Sequence, residues 1–387
     1  MVTAKRKNAA FLAAAVLVAV IVAGSGVFTY MHTGGSSGSQ PSTVSAGSSE
    51  APPTTVKEVN RFPVARLSTS GLGGFCAVLT TGRAYCWGQE VNSSTPQLVQ
   101  INPVEQISIG WVTCVISRGE VWCWHNHGDR KPFKQEGVAG ATAIETSVQT
   151  TCAIAVGDVY CLGANTAGTV GDGTHDPRDA PTKVNGPVGA TALTLDTSTA
   201  CAVASGDLWC WGDNTFGQLG DGTKAEPPDH MANRPVPAKV AGLGRVTAAS
   251  TGGARTCAIS DGDLFCWGRG MIELSLDSLT PTALPSFGKV TAVSVGQESV
   301  CVIRDDGAVV CGGGNRWGQL GTSKGFAIDE VVVLKGIAGA TAIAANNRST
   351  CAANGAGTYC WGGNDDGQLG DGTTTSHWER TLVRWPN

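Results

Sequence analysis

The chain has 387 residues, of which 27 are basic and 31 acidic, so its formal net charge at neutral pH is −4. This balance, with no basic arm to neutralise phosphates, argues against a nucleic-acid-binding protein. The 14 cysteines include no closely spaced C-x-x-C pair. That usage favours a disulfide framework in an oxidising compartment over a zinc or iron–sulfur site.

Residues 1–31 have the features of a membrane anchor or a signal segment. Lys5, Arg6 and Lys7 precede a run of 23 uncharged residues that contains FLAAAVLVAVIVA. Such a run is long enough to cross a bilayer, with the basic flank left in the cytoplasm. Its strongly apolar part has 13 residues, which also suits a cleavable signal peptide. We expect a single-pass membrane helix with the body of the protein outside the cell; the alternative is secretion after cleavage.

Residues 32–55 form a linker rich in Gly, Ser, Thr and Pro, with one formal charge. This composition predicts a flexible stalk, because it provides too few apolar side chains to build a core. The remaining residues, 56–387, are expected to form one folded domain. Their apolar side chains occur in short alternating runs split by Gly, Asn, Asp and Pro, a pattern typical of all-β proteins.

Seven pairs of cysteines lie in this domain, each with an internal spacing of nine or ten positions. Successive pairs begin 38 to 56 residues apart, a period that indicates an array of one supersecondary unit. We predict that each pair forms a disulfide inside its own unit. The pairs are Cys76 with Cys86, Cys114 with Cys123, Cys152 with Cys161, Cys201 with Cys210, Cys257 with Cys266, Cys301 with Cys311, and Cys351 with Cys360.

The spacing within each pair fits a β-hairpin. With a two-residue turn at Ser205-Gly206, Cys201 faces Cys210 at a non-hydrogen-bonded position, where the Cα atoms are about 4.5 Å apart and a disulfide fits. The two pairs with ten-residue spacing have three-residue turns that end in Gly82 and Gly307, which absorb the extra residue. The other two-residue turns of this type are Arg118-Gly119, Val156-Gly157 and Asp261-Gly262.

Each unit contains up to four short strand-like pieces. Seven such units predict an all-β fold, a seven-bladed β-propeller. Aromatic and apolar residues flank the second cysteine of the units and face small residues across the hairpin, so we expect them to form the packed layers between blades. In the fourth unit the pieces cover about 192–195, 201–204, 208–212 and 237–240. Two segments, 55–59 and 381–385, resemble the last strand of a unit, and either one completes the final blade.

Three segments of the array carry a family resemblance. They are CAVASGDLWCWGDNTFGQLGDGT at 201–223, CVIRDDGAVVCGGGNRWGQLGT at 301–322 and CAANGAGTYCWGGNDDGQLGDGT at 351–373, with a weaker copy at 161–174. Units one, two and five lack the G-Q-L-G part. The chain resembles the regulator of chromosome condensation repeats, a resemblance that implies a seven-bladed propeller. Its paired cysteines look like those of the exported bacterial branch of that family.

The resemblance also implies a function. Exported bacterial members are similar in architecture to a secreted propeller inhibitor of β-lactamases, which implies protein binding through one propeller face. The nuclear founder binds nucleosomes and promotes nucleotide exchange on a small GTPase, but the net charge of −4 and the expected export argue against both roles here. We therefore expect a binding module for an unidentified protein, with no catalysis, cofactor, nucleic acid or small GTPase.

Comparison of the units with one another indicates where that partner binds. The four residues at positions −5 to −2 from the first cysteine differ in every unit. As loops between the first and second strands, they are expected near the mouth of the propeller channel. The candidate binding residues are Trp111, Gln149, Arg255, Glu298 and Arg348, because tryptophan and arginine are common interface anchors. The alternative is that these loops are merely unconstrained.

Other candidates for chemistry are few. Three Asp-Gly-Thr turns offer carboxylates for calcium, but they lack the dense loop of oxygen ligands that calcium sites use. These turns begin at Asp172, Asp221 and Asp371. His125, His127 and Asp129 occur together once, which favours a solvated loop over a metal site or base. The alternative function is an extracellular lyase- or hydrolase-like propeller enzyme, with His125 or His175 beside a carboxylate at the channel mouth.

Overall fold

The computed structural model describes residues 62–71, 73–126, 130–224, 233–270, 277–323, 325 and 327–386. These residues contain 28 β-strands and two short 3₁₀ helices, at Gln89–Val91 and Pro285–Phe287. The anchor and linker predicted at 1–31 and 32–55 lie outside them. Within the described ranges, no helix is both long enough and apolar enough to cross a membrane.

The strands form seven antiparallel sheets of four consecutive strands, so the predicted all-β propeller with seven blades is confirmed. Blades 1 and 2 contain β1 (Val64–Thr69), β2 (Gly74–Leu79), β3 (Ala84–Gly88), β4 (Ser93–Leu98), β5 (Gln106–Ile109), β6 (Val112–Ser117), β7 (Glu120–His125) and β8 (Phe133–Lys134). Blades 3 and 4 contain β9 (Ala141–Thr146), β10 (Thr150–Ala155), β11 (Asp158–Gly163), β12 (Arg178–Val188), β13 (Ala190–Leu195), β14 (Thr199–Ala204), β15 (Asp207–Gly212) and β16 (Arg234–Lys239). Blades 5 and 6 contain β17 (Val246–Gly252), β18 (Arg255–Ser260), β19 (Asp263–Gly268), β20 (Ser278–Ala283), β21 (Val290–Val295), β22 (Ser299–Arg304), β23 (Val309–Gly314) and β24 (Ala327–Val333). Blade 7 contains β25 (Ala342–Ala345), β26 (Ser349–Asn354), β27 (Gly357–Gly362) and β28 (His377–Leu382).

The hairpins have the register that the cysteine spacing predicted. Cys201 is paired directly with Cys210, and the turn residues Ser205 and Gly206 have φ of 55° and 84°. In the same way, the second and third strands of every other blade place their two cysteines opposite each other.

Seven disulfides form, each within a single blade and with Cα atoms 4.0 to 4.1 Å apart. The described residues include no free cysteine. Seven disulfides indicate an oxidising environment. In blade order, the bonds join Cys76 to Cys86, Cys114 to Cys123, Cys152 to Cys161, Cys201 to Cys210, Cys257 to Cys266, Cys301 to Cys311, and Cys351 to Cys360.

The ring closes by packing between blades 7 and 1. The inner strands β25 and β1 are in contact, and the side-chain amide of Asn346 donates to Thr69 Oγ1 at 3.1 Å. The C-terminal strand β28 pairs with β27 and completes blade 7. It begins earlier than the segment that the sequence proposed, 381–385, and overlaps only its first two residues. The other alternative, at 55–59, lies outside the described residues.

Four blade boundaries are crossed by the same hydrogen bond. The tryptophan that follows the second cysteine is almost fully buried, and its indole N–H donates to a backbone carbonyl in the preceding blade. The bonds are Trp87 to Gln368 (2.9 Å), Trp211 to Thr169 (2.8 Å), Trp267 to Gln218 (2.9 Å) and Trp361 to Gln319 (2.9 Å). Every acceptor belongs to a G-Q-L-G segment or its weaker copy. The expectation that these tryptophans are core residues is therefore confirmed.

We predict that Trp211→Phe destabilises the propeller by about 1–3 kcal/mol, because it leaves the buried Thr169 carbonyl without its donor. The matched control is Trp124→Phe. Trp124 occupies the equivalent position in blade 2 but makes no such bond to the described residues, so its substitution should cost much less. Guanidinium denaturation of both variants measures the difference, and equal losses of stability would refute this role for the indole N–H.

Candidate functional site

The loops that follow the first and third strands of every blade lie at the same end of the propeller, because the strands are consecutive and antiparallel. We call this end the loop face. A central channel of about 710 Å³ opens there. The inner strands line it together with residues from all seven first loops, namely Gly71, Gly110, Val148, Thr197, Ala254, Gln297 and Asn347. The candidate binding residues thus belong to loops around one channel mouth.

Trp111 and Gln149 are exposed in the first loops of blades 2 and 3. The Trp111 side chain is 53% exposed, whereas its backbone N–H donates to the carbonyl of Ser147 at 3.2 Å. The carbonyl of Gln149 accepts from Ala164 N–H at 2.9 Å. In both residues the backbone is held by the scaffold, and the side chain faces solvent. A rigid, exposed tryptophan is the kind of residue that anchors protein interfaces.

Arg348 lies in a cluster that joins blades 6 and 7 on the loop face. Its guanidinium is 4.4 Å from the ring centroid of Trp317 and 3.3 Å from the carboxylate of Asp365. Arg316 lies on the same indole ring, at 5.5 Å. Glu298 is also exposed, and its backbone carbonyl accepts from Gly314 N–H at 2.7 Å.

Trp317 and Arg316 were missed by the sequence reasoning. Trp317 stands immediately before the glycine of the G-Q-L-G segment, where the other three copies have Ala167, Phe216 and Asp366. Variation at one position between copies was the signal used for the first loops. Applied to the third loops, the same signal would have found this tryptophan.

Arg255 is the candidate that the structure places differently. Its side chain is only 7% exposed, because the guanidinium donates to the carbonyls of Arg269 (2.8 Å), Gly270 (2.9 Å) and Gln297 (2.6 Å). Burial lowers the pKa of Arg255 to about 10, so it stays charged at neutral pH. Arg255 therefore connects the loops of blades 5 and 6 from inside and is not a free rim side chain.

Arg255 is buried, unlike the other four candidates, because it stands at a different position before the first cysteine. Trp111, Gln149, Glu298 and Arg348 stand three residues before the first cysteine, whereas Arg255 stands two before it. At this second position three other blades carry hydroxyl residues that donate inward, to the carbonyl just after the third strand. These bonds are Thr150 to Ala164 (3.0 Å), Thr199 to Asp213 (3.2 Å) and Ser349 to Gly363 (2.6 Å). Arg255 makes the same contact with Arg269.

We predict that Arg255→Ala lowers the unfolding free energy by about 2–3 kcal/mol, since it leaves the carbonyls of Arg269, Gly270 and Gln297 without their guanidinium donor. Arg348→Ala should change stability by less than about 1 kcal/mol, because exposed ion pairs contribute little. Thermal and guanidinium denaturation of the two variants test this contrast. Equal effects would contradict the assignment of Arg255 as a scaffold residue.

The inner strands carry a second feature that the sequence analysis did not identify. The residues paired with the first cysteines are Ser68, Ser108, Glu145, Thr194, Ser250, Ser294 and Ala344. Four of the hydroxyls accept from a backbone N–H of the next inner strand, at Thr146 (2.9 Å), Thr251 (3.0 Å), Val295 (3.0 Å) and Ala345 (2.8 Å). Glu145 replaces this hydroxyl in blade 3. Burial raises the pKa of Glu145 to about 7, although Ser108 Oγ donates to its carboxylate at 3.2 Å.

Glu145 should make stability depend on pH. Its pKa is ordinarily about 4.5, so between about pH 4.5 and 7 the folded protein holds a proton that the unfolded chain has lost. The destabilisation by the buried charge is therefore absent below about pH 4.5, grows as the pH rises to about 7 and is constant above that. We predict that Glu145→Gln is more stable than the native protein at pH 8 and equal to it at pH 4.5. Melting temperatures across this range test the prediction, and a pH-independent difference would contradict it.

The carboxylates of the three Asp-Gly-Thr turns are paired within the protein. Asp172 pairs with Arg178 at 2.5 Å, Asp221 with Arg234 at 2.6 Å and Asp371 with His377 at 3.2 Å. Asp172 also accepts from Thr174, and its contacts with Thr174 and Arg178 lower its pKa against the opposing effect of burial.

The histidine candidates do not come together into a site within the described residues. His125 packs against Phe133 with ring centroids 5.9 Å apart, and His175 Nδ1 is 3.2 Å from the carbonyl of Thr166. His127 and Asp129 lie outside those residues. Across the ranges that the structure describes, no three His, Cys, Asp or Glu side chains are grouped so as to hold a metal ion.

Comparison with known proteins supports the resemblance seen in the sequence. Residues 205–259 match the Regulator of chromosome condensation (RCC1) repeat. Human WBSCR16 has a TM-score of 0.65 at 18% identity, over 74% of this chain and 85% of that one. A chain in the structure of Kap60 bound to yeast RCC1 (Prp20) has a TM-score of 0.67 at 16% identity, over 88% and 91% of the two chains. Prp20p from Saccharomyces cerevisiae, described with its binding properties to Gsp1p and histones, has a TM-score of 0.67 at 16% identity, over 82% and 87%. No curated protein matches the chain in sequence.

The repeat match confirms the resemblance to the regulator of chromosome condensation repeats, and the structural likenesses confirm the fold. The matched residues run from the second hairpin turn of blade 4 into β18 of blade 5. The exported, cysteine-paired bacterial branch stays a prediction.

Proposed function

We propose that this chain, a seven-bladed β-propeller with regulator of chromosome condensation repeats, is a rigid protein-binding module that performs no catalysis. The observation that supports this most is the group of exposed anchor side chains on the loop face. Trp111 is exposed in blade 2, and the Trp317–Arg348–Asp365 cluster joins blades 6 and 7. Tryptophan and arginine are the residues most enriched at the energetic centres of interfaces.

The Arg348 side chain and the Trp111 backbone are held in place before any partner binds. Arg348 is held between the Trp317 ring and the Asp365 carboxylate, and the Trp111 backbone is held by Ser147. Preorganisation reduces the entropy lost when an interface forms, so a rigid rim can bind tightly with few contacts. The partner contacts are proposed to come from Trp111, Gln149, Glu298 and Arg348, with Trp317 added and Arg255 omitted as a scaffold residue.

The relatives with described partners also support binding. Yeast RCC1 is seen bound to Kap60, and Prp20p is described with Gsp1p and histones. The alternative of a propeller enzyme is not favoured, because those relatives are described by what they bind. The disulfides and the net charge of −4 argue that the partner here is an extracellular protein and not a nuclear one.

We further propose that residues 1–31 tether the propeller to the outer surface of a membrane through the linker 32–55. The support is the basic flank followed by 23 uncharged residues. Recovery of the uncleaved chain in the membrane fraction, with the propeller open to protease on intact cells, is the expected result. A shortened, soluble chain would instead identify a cleaved signal peptide.

The experiment that tests the binding function is a pull-down from cell-envelope and secreted proteins with the tagged full-length chain. We expect a partner whose affinity falls about tenfold or more in Trp111→Ala and in Arg348→Ala. The control is Lys289→Ala, on the opposite face, where the exposed side chain pairs with Asp263 at 2.9 Å and donates to the carbonyl of Asp261 at 3.4 Å. Partner binding that is unaffected by both loop-face changes, or that is lost equally in the control, would overturn the proposed surface.

A further inference from the structure

A cleft of about 510 Å³ lies on the outer side of blade 1, against the residues that follow β28. This volume is within the range of pockets that hold small molecules. The cleft is formed by Phe62, by β3 and β4, and by Arg384, Trp385 and Pro386. None of the candidate residues of the loop face lines it.

Three aromatic rings give the cleft a rigid wall. Phe62 and Trp385 are stacked, with ring centroids 4.9 Å apart and planes 5° from parallel. Tyr85 packs edge-on against both, at 5.9 Å and 5.5 Å. The rings fix one another, and the lining includes Pro96 beside them. Such a wall offers flat apolar surface, which favours a ligand with a flat apolar body.

Two arginines supply the charge of the cleft. Arg83 and Arg384 are both exposed and both line it, and no acidic residue does. Arg83 lies 6.0 Å from the Tyr85 ring centroid. Neither guanidinium forms an ion pair with a described residue, whereas Arg178, Arg234 and Arg348 each have an aspartate partner. The cleft therefore combines an aromatic wall with two positive charges that the described protein does not neutralise.

We propose that this cleft is a binding site for a small molecule with a planar apolar body and a carboxylate. The body contacts the rings of Phe62 and Trp385, which pack against the buried Tyr85, and the carboxylate accepts hydrogen bonds from Arg83 and Arg384. Arginine binds carboxylates well because its guanidinium can donate two parallel hydrogen bonds. The site is separate from the loop face, so it does not depend on the proposed protein-binding function.

Isothermal titration of the full-length protein with three probes of the same ring system tests the proposal. Indole-3-acetate is anionic, tryptophol is neutral and tryptamine is cationic. We expect saturable binding of indole-3-acetate, with tryptophol about tenfold weaker and tryptamine weaker still, since the carboxylate–guanidinium bonds are lost. Arg83→Gln and Arg384→Gln should each weaken indole-3-acetate binding by about the same factor.

The matched control is Arg380→Gln. Arg380 lies over the ring of Tyr359 at 5.0 Å, as Arg83 lies over Tyr85, but it lies outside the cleft. This variant should bind indole-3-acetate as the native protein does. Equal affinity for the three probes, no saturable binding of indole-3-acetate, or unchanged binding in the Arg83→Gln/Arg384→Gln double variant would each overturn the proposal. None of these outcomes depends on whether the loop-face pull-down finds a partner.

Discussion

The assembly of the blades depends on a hydrogen bond from a buried indole N–H to a backbone carbonyl of the preceding blade. A tryptophan placed between two sheets contributes a large apolar area, but its N–H needs an acceptor there. The G-Q-L-G segment brings that acceptor within reach. Its last glycine in blade 4, Gly220, has a φ of +73°, and a Cβ at this position would lie 2.5 Å from Trp267 Nε1. The tryptophan and the glycine therefore require each other across the boundary.

This dependence explains a pattern in the sequence. The segment or its weaker copy occurs in units three, four, six and seven, and the buried tryptophans Trp211, Trp267, Trp361 and Trp87 occur in the units that follow them around the ring. The pair in units seven and one is 281 residues apart, yet it obeys the same rule because the ring is closed. Three units lack the segment. In two of the units that follow them, Leu162 or Gly312 takes the place of the tryptophan, and the exception is Trp124. The disulfides act on a different scale, since each joins two strands of one hairpin.

The features that could be predicted from the sequence are those set by local geometry. Turn chemistry and a period of two residues determine hairpin register, so Cys201 and Cys210 could be paired from ten residues alone.

Features that depend on contacts between loops or blades were missed or misplaced. Arg255 was taken for a rim residue because the four variable positions were treated as equivalent. Thr150, Thr199 and Ser349 stand at the same position as Arg255, and their side chains also point inward. This follows because successive side chains of a strand point to opposite sides. Glu145 could not be distinguished from an exposed strand residue, because its raised pKa depends on how the neighbouring inner strands surround it in the channel.

The same alternation separates the residues that hold the propeller together from those that lie at the rim of the loop face. Two positions before the first cysteine, the side chains of four blades donate to scaffold carbonyls; three positions before it, the residues lie at the rim. The rim positions are Gly73, Trp111, Gln149, Ser198, Ala254, Glu298 and Arg348. The four large side chains belong to blades 2, 3, 6 and 7, whereas blades 4 and 5 carry small ones. Because blade 7 packs against blade 1, these four blades lie on one side of the ring, with the rim glycine of blade 1, Gly73, between Arg348 and Trp111. The indole hydrogen bonds that join the blades use none of these four side chains, although Arg348 also contacts Trp317 of the preceding blade.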